Sequence, residues 1–353
     1  FRSADVSCRF LKEPDELEQA MKNVSIAEIA RRCNVSPMTV SRVLRQDPKV
    51  REETRQRILS MARELGYFGQ SRCGRPRKPC DGAPVIQLLI GSLGGTTPQF
   101  HLGLMIEVER LLSAQGYDCL VRFSNGDYEI FTRMLEAAKR TTAERTILIG
   151  NFPSGQLEAL QSVFPGLLLL DNPGTTTGPP FNSIVFDNKA AARLAVNHLL
   201  ENGRRRILLL GGEAGHFFTK EMESGYREAF EQANIPVDEK LILHTDFSQD
   251  DAARAMDAEL QSGTPFDAVF TNDEMAAAVY RVLMQNGKKI PDDIAVCGCD
   301  NIPASEQMFP PLTTISLRYD EMARQATDLV CRQSPSCAVR ICLLPELIVR
   351  RSS

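Results

Sequence analysis

The chain has 353 residues, enough for two to three domains at roughly 100–200 residues each. Hydrophobic residues make up 43% of it and charged residues 24%, which is typical of a folded globular protein and not of a disordered one. No apolar run reaches the ~18 residues that a membrane-spanning helix needs, and the first residues lack the pattern of a secretory signal. We therefore expect a cytoplasmic protein that makes no membrane contact.

The small net charge of −4 conceals a strong asymmetry along the chain. Residues 21–80 contain 14 lysines and arginines against 5 acidic residues, whereas residues 81–353 contain 24 against 35. A basic segment ahead of an acidic body indicates that the first part binds a polyanion. Judged by charge alone, a solvated basic surface without a partner explains the counts equally well.

The pattern along the chain divides it into four parts. Residues 1–20 show no core pattern, and we expect them to be a disordered extension or to precede a natural start at Met21. Residues 21–68 have helical periodicity and form the head. Residues 69–83 are rich in glycine, proline and basic side chains, as linkers are. Apolar runs then alternate with amphipathic segments throughout the body, residues 84–353.

The sequence pattern of the head predicts three short helices with a tight turn between the first two. Ser25 and Glu28 form a capping box at the start of the first helix, and Asn34 suits the left-handed position that ends it. Ser36 caps the second helix, with Pro37 at its first helical position. A third helix follows at about residues 52–65. This arrangement is a helix-turn-helix domain.

In such a domain the second helix enters the major groove with its first side chains against the base edges. We expect Pro37, Met38 and Arg42 to face the bases, with Arg42 able to form two hydrogen bonds to guanine. Hydroxyls and backbone amides suit phosphate contacts, here Thr39, Ser41 and the amides near Ser25 and Ser36. The supporting basic groups are Lys22, Arg31, Arg45 and Lys49. The alternative is a three-helix bundle whose basic surface has no partner.

The alternating sequence pattern of the body predicts parallel βαβ units in a doubly wound α/β arrangement. Runs such as VIQLLI and RILLLGG have the apolar character of buried strands, and the segments between them suit helices. A body of this length divides into two lobes. We assign lobe 1 to about residues 84–186 and 317–332, and lobe 2 to about residues 187–316 and 333–353. Ligands in such folds bind beyond the carboxyl ends of the strands.

Segments of both parts resemble the LacI/GalR family of transcription regulators, which includes lactose-, galactose- and purine-repressor-like proteins. The resemblance is most specific at VSPMTVSRVL and ETRQRILSMARELGY, and continues in FTNDEMAAAVYRVLMQNGKKIPDDIAVCGCDN. It extends over residues 21–353. It implies a periplasmic-binding-protein-like body, a homodimer, a near-palindromic double-stranded operator and allosteric repression controlled by a small molecule.

The resemblance also implies an effector site between the two lobes. Carboxylates there would accept hydroxyl groups, and phenylalanine rings would cover apolar sugar surfaces. The matching positions are Phe100, His101, Asp171, His216, Phe218, Met222, Phe247, Asp273 and Asp300. Each aromatic residue has a core residue as its alternative role, and each aspartate a helix cap. Many family members have arginine at the position of Met222, so the effector is sugar-like but neutral or unusual, or it is absent.

The linker departs from the family pattern. Members usually continue into a short hinge helix with a leucine that enters the minor groove, and the corresponding position here is Pro76. Proline inside a helix costs about 3 kcal/mol, so no hinge helix is expected through it. Arg75, Arg77 and Lys78 instead resemble an AT-hook, an extended arm for a narrow A·T minor groove. A plain basic tether is the equally weighted alternative.

An enzyme is the main competing class, and the sequence gives it little support. The four histidines lack metal-binding spacing, and neither a GxSxG motif nor a phosphate-binding loop is present. The ten cysteines include no CxxC pair, which favours a reducing cytosol over a zinc site or a disulfide framework. We expect no cofactor and no metal. The second alternative is an architectural DNA-binding protein that needs no effector.

Overall fold

A computed structural model describes residues 26–44, 50–64, 83–92, 97–175, 180–331 and 337–353. The chain divides into two compact units, one within residues 1–75 and the other within residues 76–353. No helix in the described part of the chain is long and apolar enough to cross a membrane. Several predicted features lie outside the described residues: the extension at 1–20, Met21, Lys22, Ser25, Arg45, Lys49, Arg75, Pro76, Arg77 and Lys78.

The first unit contains three described helices, α1 (Ile26–Arg32), α2 (Pro37–Leu44) and α3 (Glu52–Glu64). Ile29, Val40 and Ile58, one from each helix, are fully buried together in its core. Asn34 has a φ of 51° in the turn between α1 and α2, the left-handed position predicted to end the first helix. The predicted helix-turn-helix arrangement is confirmed.

The described strands of the second unit form two six-stranded sheets. The first sheet contains β1 (Val85–Gly91), β2 (Asp118–Ser124), β3 (Arg145–Gly150), β4 (Leu168–Leu170), β5 (Asn182–Phe186) and β11 (Arg340–Leu343). The second contains β6 (Ile207–Gly211), β7 (Ile242–His244), β8 (Ala268–Phe270), β9 (Ala295–Asp300), β10 (Thr313–Ser316) and β12 (Glu346–Ile348). Their spatial orders are β11-β5-β4-β3-β1-β2 and β12-β10-β9-β8-β6-β7. All pairs are parallel except β10 with β12.

Helices cover the sheets, so consecutive residues of the central strands are buried on both faces. Leu88, Leu89 and Ile90 of β1, for example, are all fully buried. The helices are α4 (Gln99–Ala114), α5 (Tyr128–Lys139), α6 (Ser154–Val163), α7 (Asn188–Glu201), α8 (Phe217–Gln232), α9 (Gln249–Ser262), α10 (Asp273–Gln285), α11 (Pro303–Gln307) and α12 (Tyr319–Cys331). The predicted two-lobed α/β body with parallel sheets is confirmed.

Each sheet with its helices forms one lobe, and the chain passes between the lobes after β5, after β10 and after β11. Helix α7 packs on the second sheet, whereas α12 packs on α4 and the first sheet. The structure corrects the prediction that residues 333–353 belong to lobe 2. Strand β11 pairs in parallel with β5, which places Ile341 beside Ile184 in lobe 1. Only β12 and the residues after it join lobe 2, because β12 forms its backbone hydrogen bonds with β10.

Candidate functional site

A cleft lies where the carboxyl ends of strands from the two sheets face each other, the position expected for a ligand site in this fold. Its volume is about 860 Å³, including space open to solvent. The cleft is lined by Pro98, Phe100, His101, Asn151, Asp171, His216, Phe218, Asp246, Phe247, Ser248, Asn272, Glu274, Asp300 and Leu317. The mixture of aromatic rings and oxygen-bearing side chains suits a small polar ligand with an apolar face.

Seven of the nine residues predicted for the effector site line this cleft: Phe100, His101, Asp171, His216, Phe218, Phe247 and Asp300. The structure corrects the other two expectations. Met222 is 3% exposed, because its helix turns the side chain into the apolar core. Asp273 is fully buried, where its carboxylate accepts hydrogen bonds from Thr314 Oγ1 at 2.6 Å and from the Ile302 amide at 3.0 Å.

Three of the cleft side chains come from residues in a left-handed backbone conformation, which is uncommon outside glycine. The φ angles are 54° at Asp171, 66° at Phe247 and 117° at Asp300, and Asn301 follows with 51°. Such conformations cost about 1–3 kcal/mol each and persist only where the surrounding structure holds them. Their concentration around one cleft is typical of a functional site.

The buried Asp273 and the half-buried Arg350 hold the turn that presents Asp300. Asp273 binds the Ile302 amide on one side of the turn. On the other side, Arg350 Nη2 donates to Asn301 Oδ1 at 2.8 Å, and Arg350 Nη1 donates to the Leu312 carbonyl at 2.8 Å. The backbone turn that carries Asp300 is therefore held by residues that do not line the cleft.

The cleft is strongly acidic. Its lining includes Asp171, Asp246, Glu274 and Asp300, and the lining residues that the structure describes include neither lysine nor arginine. Burial raises the pKa of Asp300 well above its ordinary value, and the neighbouring carboxylates of Asp273, Asp171 and Glu274 raise it further. Among the described residues, none donates a hydrogen bond to the Asp300 carboxylate or forms an ion pair with it.

Histidine and aspartate form a close pair on the lobe 1 side. His101 Nε2 lies 2.9 Å from Asp171 Oδ2, while the buried Nδ1 of His101 has no hydrogen-bond partner among the described residues. The ring packs against Gly150, whose φ is 82° and at which a Cβ would lie 2.9 Å from the ring. Gly150 thus combines a backbone conformation and a close contact that only glycine satisfies.

Hydrogen bonds join the two lobes across the cleft. His216 Nε2 of lobe 2 lies 2.7 Å from Asn151 Oδ1 of lobe 1, and His216 Nδ1 accepts from the Phe218 amide at 3.3 Å. This pattern assigns the proton to Nε2, and burial lowers the pKa of His216 to about 4, so the ring is neutral at pH 7. The Glu274 carboxylate accepts from the Gln99 amide, a second contact between the lobes.

Several lining residues were missed from the sequence: Pro98, Asn151, Asp246, Ser248, Asn272, Glu274 and Leu317. Asn151 directly follows β3, and Asp246 and Asn272 each follow a strand by two residues. Each of them therefore lies at the carboxyl end of a strand, as Asp171 does after β4. Asp246 and Asn272 also accept hydrogen bonds from the Ser248 and Met275 amides, so both have a structural role in local turns as well.

A Gly212→Ala substitution is expected to displace Phe247 from the cleft wall. The Phe247 ring packs directly on Gly212, where a Cβ would overlap the ring. The ring is only partly buried, so it can move, and we expect ligand affinity to fall about tenfold while the fold is retained. Isothermal titration with the small molecule that most stabilises the wild-type protein checks this. Gly215→Ala, at a position with open space around the new Cβ, is the matched control; equal affinities for all three proteins would contradict the expectation.

In the head, α2 has the exposed face predicted to meet DNA. Pro37, Met38 and Arg42 are all exposed, Met38 to 63%. Ser36 Oγ accepts from the Thr39 amide at 3.1 Å, which confirms its predicted cap of α2. Thr39 is half-buried, Ser41 lies on the same helix, and Arg31 is exposed at the end of α1.

Family models match both units. Residues 25–70 match bacterial regulatory proteins of the lacI family, and residues 196–353 match a periplasmic binding protein-like domain. The chain is 28% identical over 334 residues to the ribose operon repressor of Halalkalibacterium halodurans, covering 93% of this chain and 97% of that protein. It is 29% identical over 337 residues to the transcriptional repressor PurR of Vibrio campbellii, covering 93% and 98%. These relatives are transcriptional regulators, not enzymes.

Solved structures give the same result. A complex of the transcriptional regulator CelR with cellobiose has a TM-score of 0.68 and 26% identity, covering 94% of this chain and 100% of that one. The lac repressor dimer bound to operator has a TM-score of 0.67 and covers 94% and 99%; at 21% identity it shows the fold alone.

Proposed function

We propose that this chain, whose residues 25–70 match the lacI family of bacterial regulatory proteins, is a cytoplasmic, homodimeric repressor of transcription that binds a specific double-stranded operator. The resemblance noted in the sequence is confirmed by the matches to both units. In this proposal the head binds DNA through α2, and a sugar-like small molecule in the cleft sets the operator affinity. The sugar complex of CelR and the ribose operon repressor among its relatives support that ligand class.

One combination of features supports this proposed function: a helix-turn-helix unit with an exposed second helix, and a separate unit with a cleft between two lobes. The backbone conformations of Asp171, Phe247 and Asp300 favour a cleft that binds a ligand over one that has lost this role. The architectural, effector-independent alternative gives no reason for retaining these strained residues.

Control of DNA binding requires two states of the body that the ligand binds with different affinity. The cleft provides such states, because its closure is held by the His216–Asn151 and Glu274–Gln99 contacts between the lobes. A ligand that contacts both lobes favours the closed state. We infer that closure changes the placement of the two heads of a dimer on adjacent half-sites.

Selection of bound duplexes from a random pool, followed by fluorescence anisotropy, tests the function directly. We expect one enriched, near-palindromic sequence. Its affinity should fall about 100-fold or more between 50 mM and 200 mM salt, because phosphate contacts release counterions. A sugar from a broad library should change that affinity. Failure to enrich any sequence would refute the regulator, and an operator affinity that no ligand changes would favour the architectural alternative.

An Arg42→Ala variant is expected to lose about 10- to 100-fold in affinity for the selected operator, since a bidentate contact to guanine contributes about 1–3 kcal/mol. Affinity for random duplex should change much less. The same anisotropy assay measures both. Lys288→Ala, which removes an exposed charge from the body, is the matched control. An equal loss on random and selected duplexes would show that Arg42 contacts phosphate and not a base.

A further inference from the structure

We propose that the effector is an amino sugar, a small polyol whose protonated amine pairs with the Asp300 carboxylate in the cleft. This ligand class rests on the proposed function, because it specifies the molecule bound at the same site. It narrows the sugar-like class to its cationic members, and it follows from the charge and the hydrogen bonding of the cleft.

The described lining of the cleft has more acidic than basic side chains. The cleft is lined by four carboxylates and, among the described residues, by no lysine or arginine. His216 contributes no positive charge at neutral pH, because its pKa is lowered to about 4. Met222 on α8 is buried in the apolar core and adds no polar group to the cleft. A ligand with a positive charge complements this field, whereas an anionic ligand is repelled.

The hydrogen-bond partners of the four carboxylates distinguish Asp300 from the others. Asp171 pairs with His101 at 2.9 Å, Glu274 accepts from the Gln99 amide, and Asp246 accepts from the Ser248 amide at 2.8 Å. The Asp300 carboxylate receives no hydrogen bond or ion pair from the described residues. We therefore expect a donor group of the ligand to form the hydrogen bond or ion pair with this carboxylate.

The backbone at Asp300 is held in place. Its φ of 117° and the φ of 51° at Asn301 define a strained turn that Asp273 and Arg350 hold from both sides. Burial and, after it, the nearby carboxylates raise the pKa of Asp300, so its surroundings disfavour a negative charge that has no partner. A protonated amine at this position stabilises the ionised carboxylate by a direct charge pair.

The rest of the cleft suits the carbon skeleton of a sugar. Phe100, Phe218 and Phe247 supply aromatic surface for the apolar face of a ring. Asn151 and Asn272 add amide groups that donate to or accept from hydroxyls. A simple alkyl amine would leave these polar groups without hydrogen-bond partners. The ligand therefore needs hydroxyl groups as well as an amine to complement the cleft.

Isothermal titration of the full chain with matched sugars tests this ligand class. The probes are the glucose, galactose and mannose forms of three charge types: the 2-amino-2-deoxy sugar, the neutral sugar and the corresponding aldonate. We expect at least one amino sugar to bind ten or more times more tightly than its neutral counterpart, and no aldonate to bind. Equal or tighter binding of a neutral sugar, or no binding of any amino sugar, would overturn the proposal.

Asp300→Asn keeps the shape of the side chain and removes its charge. We expect it to lower the affinity for the amino sugar at least tenfold and to leave the affinity for the neutral sugar within about threefold. Asp292→Asn, an exposed residue outside the cleft, is the matched control and should change neither value. The affinity of the wild-type protein should also fall as the pH is lowered from 7 to 5, a range in which the amine stays protonated, because a proton on Asp300 competes with the amine. Affinity for the amino sugar that is unchanged in Asp300→Asn would overturn the pairing.

Measuring operator binding with the same preparations distinguishes a failure of the proposed ligand class from a failure of the proposed repressor function. If the chain binds its selected duplex but no amino sugar binds or changes that affinity, the ligand class is wrong and the repressor function stands. If no duplex is bound specifically, the proposed function itself fails, whatever the sugars do.

Discussion

Replacing Gly225 by alanine is expected to destabilise the body by about 2–3 kcal/mol, which lowers its Tm by roughly 5–10 °C for a domain of this size. Gly225 lies where α8 packs against α7. A Cβ at this position would overlap the carbonyl oxygen of Lys189 and lie 2.8 Å from the Cβ of Ala192. The carbonyl belongs to the helix backbone, so α7 and α8 must separate to accept the methyl group.

Whether the substitution stabilises or destabilises depends on the size of the steric overlap, because alanine is a better helix former than glycine. In an exposed helix the same change stabilises by about 1 kcal/mol. Gly155→Ala in α6 is therefore the matched control: no atom lies within 4 Å of the new Cβ, and a small gain in Tm is expected. Thermal unfolding followed by circular dichroism measures both variants. A Gly225→Ala protein as stable as the control would show that the two helices are not packed as described.

Asp273 is expected to make the body less stable as the pH rises from about 4 to about 7. Burial raises the pKa of Asp273 to about 7 from an ordinary value near 3.8, although hydrogen bonds from Thr314 and Ile302 act in the opposite direction. The folded state therefore binds a proton that the unfolded state has already released. The stabilisation by this proton is complete below pH 4 and is lost as the pH passes through 7, a change of a few kcal/mol.

An Asp273→Asn variant should show a much weaker dependence over this range, because the amide does not ionise. Asp300 titrates in the same direction, so part of the pH dependence remains. Urea unfolding at pH 5 and pH 8 gives the two free energies of unfolding for each protein. The exposed Asp292→Asn variant should retain the wild-type difference. An identical difference in Asp273→Asn and wild type would show that Asp273 keeps the same protonation state throughout.

The fold could be predicted in detail because its signals are local. The caps at Ser36 and Asn34, the three-helix periodicity of the head and the apolar strands of the body all depend on neighbouring residues. Strand β11 could not be assigned in this way. It is short and alternates in exposure, so its sequence does not distinguish between two sheet edges, and only its pairing with β5 determines the lobe.

The cleft was predicted only in part, because position along the chain does not fix the direction of a side chain. Asn272, Asp273 and Glu274 are consecutive, yet the first and third line the cleft while the second is buried against Thr314. A helix start turns successive side chains by about 100° each, so one residue decides between ligand contact and structural support. Met222 was misplaced for the same reason.

The three passages of the chain between the lobes have a consequence for engineering. Neither lobe is a continuous stretch of sequence, since α12 and β11 return to lobe 1 after most of lobe 2 is complete. A chimera that borrows lobe 2 from a relative must exchange two separate segments and match three junctions. Recognition of a new ligand therefore cannot be transferred by exchanging one continuous segment, and single substitutions in the cleft are the shorter route to altered specificity.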